Sequence, residues 1–183
     1  MGIPTLIKTL TASDSASLSF VDGTASVVLD STYDEYMFVF TDLGPATDGV
    51  NFTFQMNAAG AADFNETITS TSFWSYQKED ASDASIGYDT SRDQAQATAY
   101  QVLGGNVGNG SDESIAGILH VFSPSSTTYV THWYSTTVHY NSSDAMMQYF
   151  MTGYINATAA MDEIDFKMSS GNMDGVIQMY GIS

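Results

Sequence analysis

The sequence predicts an all-β protein: an antiparallel β-sandwich of jelly-roll type, with about eight to ten strands. Three observations predict it. Apolar and polar residues alternate with a period of two in segment after segment, as on strands that turn one face to a core. Clusters of Gly, Asn, Asp, Ser and Pro separate those segments at fairly regular intervals, the rhythm of an antiparallel fold. No window of a dozen residues carries a sustained three-four apolar stripe with caps.

The first patterned stretch, GIPTLIKTLT at 2–11, holds Ile3, Leu6, Ile7 and Leu10, but Pro4 limits pairing at its start and Leu6 and Ile7 break the alternation. It is either the first strand of the domain or an arm over residues 1–10, and the expectation favours an arm or shared edge anchored by Ile3, Leu6 and Ile7. EYMFVF at 35–40 is apolar on both faces, with Met37 and Val39 opposite Tyr36, Phe38 and Phe40. NFTFQM at 51–56 and EIDFKM at 163–168 alternate cleanly, which predicts Thr53, Gln55 and Asp165 in water. AGILHVF at 116–122 and QYFMTGYI at 148–155 are again apolar on both sides. Such strands need a second layer or another subunit. DQAQATAYQVL at 93–103 is the one helix candidate.

THWYSTTVHY at 131–140 holds two of the three histidines. Its Thr, Tyr, Val and Trp favour a strand, and on a strand His132 and His139, an odd number apart, point to opposite faces about 23 Å from one another. They are expected to share no metal.

The chain has 183 residues, 43% apolar, with no linker-like break, and reads as a single domain, 1–183. MGIPTLIKTL lacks the apolar run of a signal peptide or anchor, and Cys is absent. Charge is the sharpest global signal: 21 acidic residues face 4 Lys plus Arg, a formal net charge of -17. Lys8, Lys78, Arg92 and Lys167 cannot build a basic patch, so neither nucleic acid nor an anionic membrane is an expected partner. Acidity favours solubility and suits a salty medium that screens self-repulsion.

The chemistry sought is mostly not there. GGNVGNG at 104–110 lacks the Lys-Ser/Thr ending of a phosphate loop. Neither a nucleophile-elbow motif nor zinc spacing occurs, so no catalytic, cofactor or metal residues are assigned and no enzyme activity is expected. Structural calcium would sit in the acidic loops KEDASD at 78–83 or DSTYDE at 30–35, although neither follows the EF-hand register. The aromatic runs FWSY and HWY offer Trp74, Tyr76 and Trp133 as a platform on which a sugar could stack, against the plainer reading of core residues.

The stretches DSTYDEYMFVFTDLGPATDGVNFTFQMN, DQAQATAYQVL, GILHVFSPSSTTYVTHWYSTT and FKMSSGNMDGVIQMYGIS resemble, in that order, a group of virion-associated proteins of marine tailed phages, including phages of cyanobacteria. The ending fits the pattern SG-x-x-x-G-x-I-x-x-YGI. The resemblance covers most of the chain and contains no catalytic motif. It implies a structural protein of the virion, assembled in the host cytoplasm. The leading expectation is a capsid decoration or cement protein, a homo-oligomer and most simply a trimer, that contacts the major capsid protein or other virion proteins. The alternative is a host-recognition module of a tail or head fibre that holds a glycan.

Overall fold

The computed structural model describes residues 2–183. Thirteen strands and no helix occur among them: β1 (Thr5–Ser15), β2 (Leu18–Val21), β3 (Glu35–Pro45), β4 (Val50–Ala58), β5 (Ile68–Lys78), β6 (Ala84–Tyr88), β7 (Ala95–Ala97), β8 (Gln101–Val107), β9 (Ile115–Phe122), β10 (Thr131–Asn141), β11 (Ala145–Ile155), β12 (Met161–Met168) and β13 (Met173–Ile182). The all-β expectation holds, with more strands than expected. The short β2, β6 and β7 account for the excess; each pairs with a single neighbour, so none needs a long pattern of its own.

All ladders are antiparallel. The main path runs β1-β13-β3-β9-β10-β8-β4-β12-β2, with β11, β5 and then β6 and β7 continuing outward from the other edge of β10. Between β10 and β8 the only paired residues are Asn141 and Val107, and there the sheet turns back over itself. The path's two ends, β1 and β2, are joined by only two residues, so the sheet is nearly closed and barrel-like.

Inside lies an aromatic core centred on Phe166 of β12. Its ring sits 5.4 Å from both Phe38 and Phe40 of β3, 6.1 Å from Phe52 and 6.4 Å from Phe54 of β4, and 6.3 Å from Phe20 of β2. Truncating so enclosed a ring to Ala costs roughly 3–5 kcal/mol. Phe40 and Leu43 both point inward although three residues apart. A bulge makes this possible: the register with β9 slips between Phe40 and Leu43, and Asp42 takes a positive φ of 50°.

β1 pairs with β13 from Thr5 to Ser15 and forms one edge of the sheet. The adjacent pair Leu6 and Ile7 is accommodated by a register slip between Leu6 and Lys8. Leu6 stays 51% exposed while Ile7 packs against the core, so Ile7 is no surface anchor; Ile3, ahead of the strand, is 89% exposed.

The 93–103 segment is not a helix. Gln94 and Gln96 bond to Ser70 and Thr69 of β5, and Gln101, fully buried, opens β8. Those tertiary partners outweigh the segment's helix propensity. The alternation in β4 and β12 is also read differently by the structure. Phe52, Phe54 and Met56 face the core, but Thr53, Gln55, Asn57 and Asp165 on the opposite side are buried too. The Gln55 amide donates to the carbonyls of Glu66, Thr98 and Ala99 at 3.0–3.3 Å, so the chain's own connections roof that face.

Candidate functional sites: an outer apolar face and an aromatic cleft

Cross-strand register builds the first site. Val39 of β3, Ile118 of β9, Thr136 of β10, Phe150 of β11, Phe73 of β5 and Tyr88 of β6 are successive partners in one row across six strands. A neighbouring row runs through Ala116, Val138, Gln148, Ser75 and Ile86. These rows face away from the core, and Phe73, Phe150, Ile86, Val138 and Ile118 are exposed, Phe150 by 52% and Ile86 by 79%. Tyr134 and Met146 extend the patch, while Met37 and Val39 are half-buried at its β3 margin. The exposed or half-buried carboxylates of these strands are Glu35 and Asp42, towards the two ends of β3; Glu35 pairs with His120, whose ring stacks on Tyr134 at 4.5 Å. In a chain of net charge -17 the centre of this face carries no charge, and Glu79 and Asp112 stand at its margin beside Ala116, Val138 and Met146.

The second site lies against the inner side of β5 and β11, away from the outer apolar face. It is a cleft of about 600 Å³. Strand alternation puts Trp74, Tyr76 and Lys78 of β5 on one wall, and register sets Tyr149, Met147 and Ala145 of β11 beside them. Gly105, Asn106 and Arg92 form the opposite wall, and Asn141 and Ser143 close one end. Trp74 and Tyr76 stack at 5.5 Å with their planes 26° apart. The Tyr76 hydroxyl donates to Asp83 at 2.5 Å, and this bond to a carboxylate raises the tyrosine pKa. Arg92 donates to Asp89 at 2.6 Å and lies 5.6 Å above the Tyr149 ring. It fits because position 105 is glycine: a Cβ there would collide with the guanidinium. Burial pushes Asp89 up, but hydrogen bonds from Ser91 and Arg92 outweigh it and hold the carboxyl below its usual value. Burial also raises Tyr149 to about 12.

Beneath this wall sits His139, 4% exposed, its ring parallel to Tyr149 at 5.8 Å. Nε2 lies 2.8 Å from the carbonyl oxygen of Gly105 and so carries the proton as donor. Burial, with the nearby Arg92 charge, lowers its pKa to about 4, so it is neutral at pH 7. His132, on the other face of the same strand, is exposed near Tyr154. The two point to opposite faces, as alternation requires. Among the described residues no three His, Asp or Glu side chains gather where they could hold a metal ion. The acids of the calcium-candidate loops are partly engaged locally: Asp30 accepts the Thr32 amide and Asp80 the Ser82 amide.

Of the three aromatic residues proposed as a sugar platform, the structure brings two together. Trp133 is 1% exposed and packs edge-on against Phe54 at 5.1 Å, so it is a core residue and belongs to no surface. The reason is parity: odd-numbered positions of β10 face inward, the same rule that buries His139. Lys78, Asp83, Arg92, Asn141 and Tyr149 were not singled out for this site from sequence. They lie on separate elements, and only the β5–β11 register and the loop over Gly105 bring them together. No protein-family model matches this chain, and no curated protein matches it.

Proposed function

We propose that the protein is a structural component of a phage particle that acts by binding alone, as a decoration or cement protein assembled from several copies of itself. The observation that carries the binding role is the apolar face on β3, β9, β10, β11, β5 and β6, whose charges lie only at its margins. Six strands at ~4.8 Å and about four alternating positions at ~7 Å give roughly 800 Å², about the area that each partner buries in a stable complex. The occupant we assign is a second copy of the chain. Like-charged copies repel, so self-association belongs where carboxylates are sparsest. A trimer is the simplest assembly for a lattice-bound protein.

The phage assignment rests on the sequence resemblance, and the winding of the chain supports it. The orders β1-β13-β3-β9 and β2-β12-β4-β8 form two four-strand runs, and of these eight strands taken in chain order each step crosses between runs except β4 to β8, which pair directly. We read this winding as a jelly roll, an architecture that viral capsid domains use. On this reading β10–β11 and β5–β7 are insertions that widen one run and supply the apolar face. The free rim of β1, with exposed Ile3 and Leu6, is the edge offered to the capsid protein.

Sedimentation at high salt tests the assembly, with an oligomer expected; a monomer at the 19.7 kDa chain mass would refute it. Quantifying the protein in purified particles tests the place: a copy number that scales with the capsid lattice supports the head, and one matching the few-fold symmetry of a tail supports a fibre.

A further inference from the structure

We infer that the cleft between β5, β11 and the Arg92 loop is a binding site for a neutral saccharide. This goes beyond the assembly role and does not depend on it, since the cleft opens on the side opposite the apolar face.

Shape and lining carry the inference. A volume of about 600 Å³ lies within the range of small-ligand sites, and the lining is aromatic with a few convergent polar groups. Trp74 and Tyr76 give flat apolar surface against which the C–H face of a sugar ring packs. Around them stand groups with hydrogen-bonding capacity left over. Asn141 spends its carbonyl oxygen on the amides of Ser143 and Ala145, at 3.0 and 3.1 Å, which leaves its NH₂ free at the cleft. Arg92 uses Nη1 on Asp89 and Ser91, and its Nε is buried without a partner. Lys78 forms no ion pair among the described residues. Asp83 accepts from Tyr76 through one oxygen and keeps the other. Donors and acceptors side by side match hydroxyl groups, which both give and take hydrogen bonds.

Charge decides the class of sugar. Lys78 and Arg92, two of the chain's four basic residues, line the cleft, but Asp83 and Asp89 balance them locally. The rest of the molecule is strongly acidic and repels a polyanion. An uncharged oligosaccharide therefore fits better than a uronic acid polymer.

Isothermal titration of the full chain with neutral gluco-, galacto- and manno-oligosaccharides, alongside a uronic acid oligomer, tests the assignment. At least one neutral series is expected to bind with a Kd of about 0.1–1 mM, and the uronate more weakly. Tyr76→Ala is expected to weaken binding at least tenfold. Asn141→Asp keeps the oxygen that holds the turn while removing the free NH₂, and is expected to weaken it several-fold, with near-UV circular dichroism verifying the fold. Trp133→Phe, remote from the cleft, should leave affinity unchanged. No binding of any neutral series, binding indifferent to Tyr76→Ala and Asn141→Asp, or tighter binding of the uronate would each overturn the inference. Because the oligomeric state is measured separately, its failure and that of the assembly role are distinguishable.

Discussion

On the outer side of β4 and β12, Thr53, Gln55, Asn57 and Asp165 are buried under the chain's own connections, whereas on the outer side of β9, β10, β11 and β5 Ile118, Val138, Phe150 and Phe73 stand in solvent. The first face is polar and has a roof; the second is apolar and has none. A roof of loop brings backbone carbonyls and amides, which need partners once they leave water. Polar side chains supply them: Gln55 serves the loop carbonyls of Glu66, Thr98 and Ala99, while Thr53 donates to the Lys167 carbonyl of β12 and Asp165 accepts from the Ser19 and Tyr100 hydroxyls at 2.6 and 3.0 Å. An apolar face could offer a loop nothing of that kind. It is suited to another flat apolar face, and hence to a second copy. The polarity of each face thus matches the kind of cover it can take.

The most direct way to break this comparison is to charge the uncovered face. Phe150→Glu combined with Ile86→Glu is expected to weaken self-association by at least a hundredfold, about 3 kcal/mol, while the melting temperature of the isolated chain stays within a few degrees. If sedimentation shows the oligomer intact, the face is not the interface. The converse experiment is on the roofed side. Gln55→Ala strands three carbonyls and opens a cavity, with an expected loss of about 3 kcal/mol in urea unfolding and no change in association.

A smaller effect comes from β10, which carries the apolar face outward and His139 inward. Unfolded His139 titrates near 6.5 and the folded residue at about 4, so the unfolded chain binds the extra proton between those values. Its contribution is complete above about pH 6.5 and is lost as pH falls towards 4. Between pH 7 and pH 5 it removes about 2 kcal/mol of stability. His139→Gln should show a shallower decline over this window than the natural chain; equal slopes would mean that the residue is not buried neutral. The smallest expected effect is its counterpart His132→Gln, exposed on the other face, which should change stability by less than about 0.5 kcal/mol at either pH.

Much of the fold was legible because a strand's period of two is local. The inward set Tyr36, Phe38 and Phe40, the Phe52, Phe54 and Met56 face and the opposed histidines all follow from counting residues. The platform was legible only in part. Trp74 and Tyr76 are two apart and share a face, so the spacing that brings them together is visible in FWSY. Trp133 failed because nothing local says which face of β10 meets the core.

By itself the amino-acid sequence determined that the protein would be built from antiparallel strands, that its surface would be acidic, and that some strands would be apolar on both sides. Those properties belong to single segments or to sums over the chain. Only the tertiary structure decided which of the second faces would be roofed, that 93–103 would be divided between a short pairing with β5 and the start of β8 in place of forming a helix, and that Arg92 would reach over Gly105 to Tyr149. Each of these depends on pairing between residues far apart in the chain, and a free energy of contact between distant segments is not written in the pattern of either one.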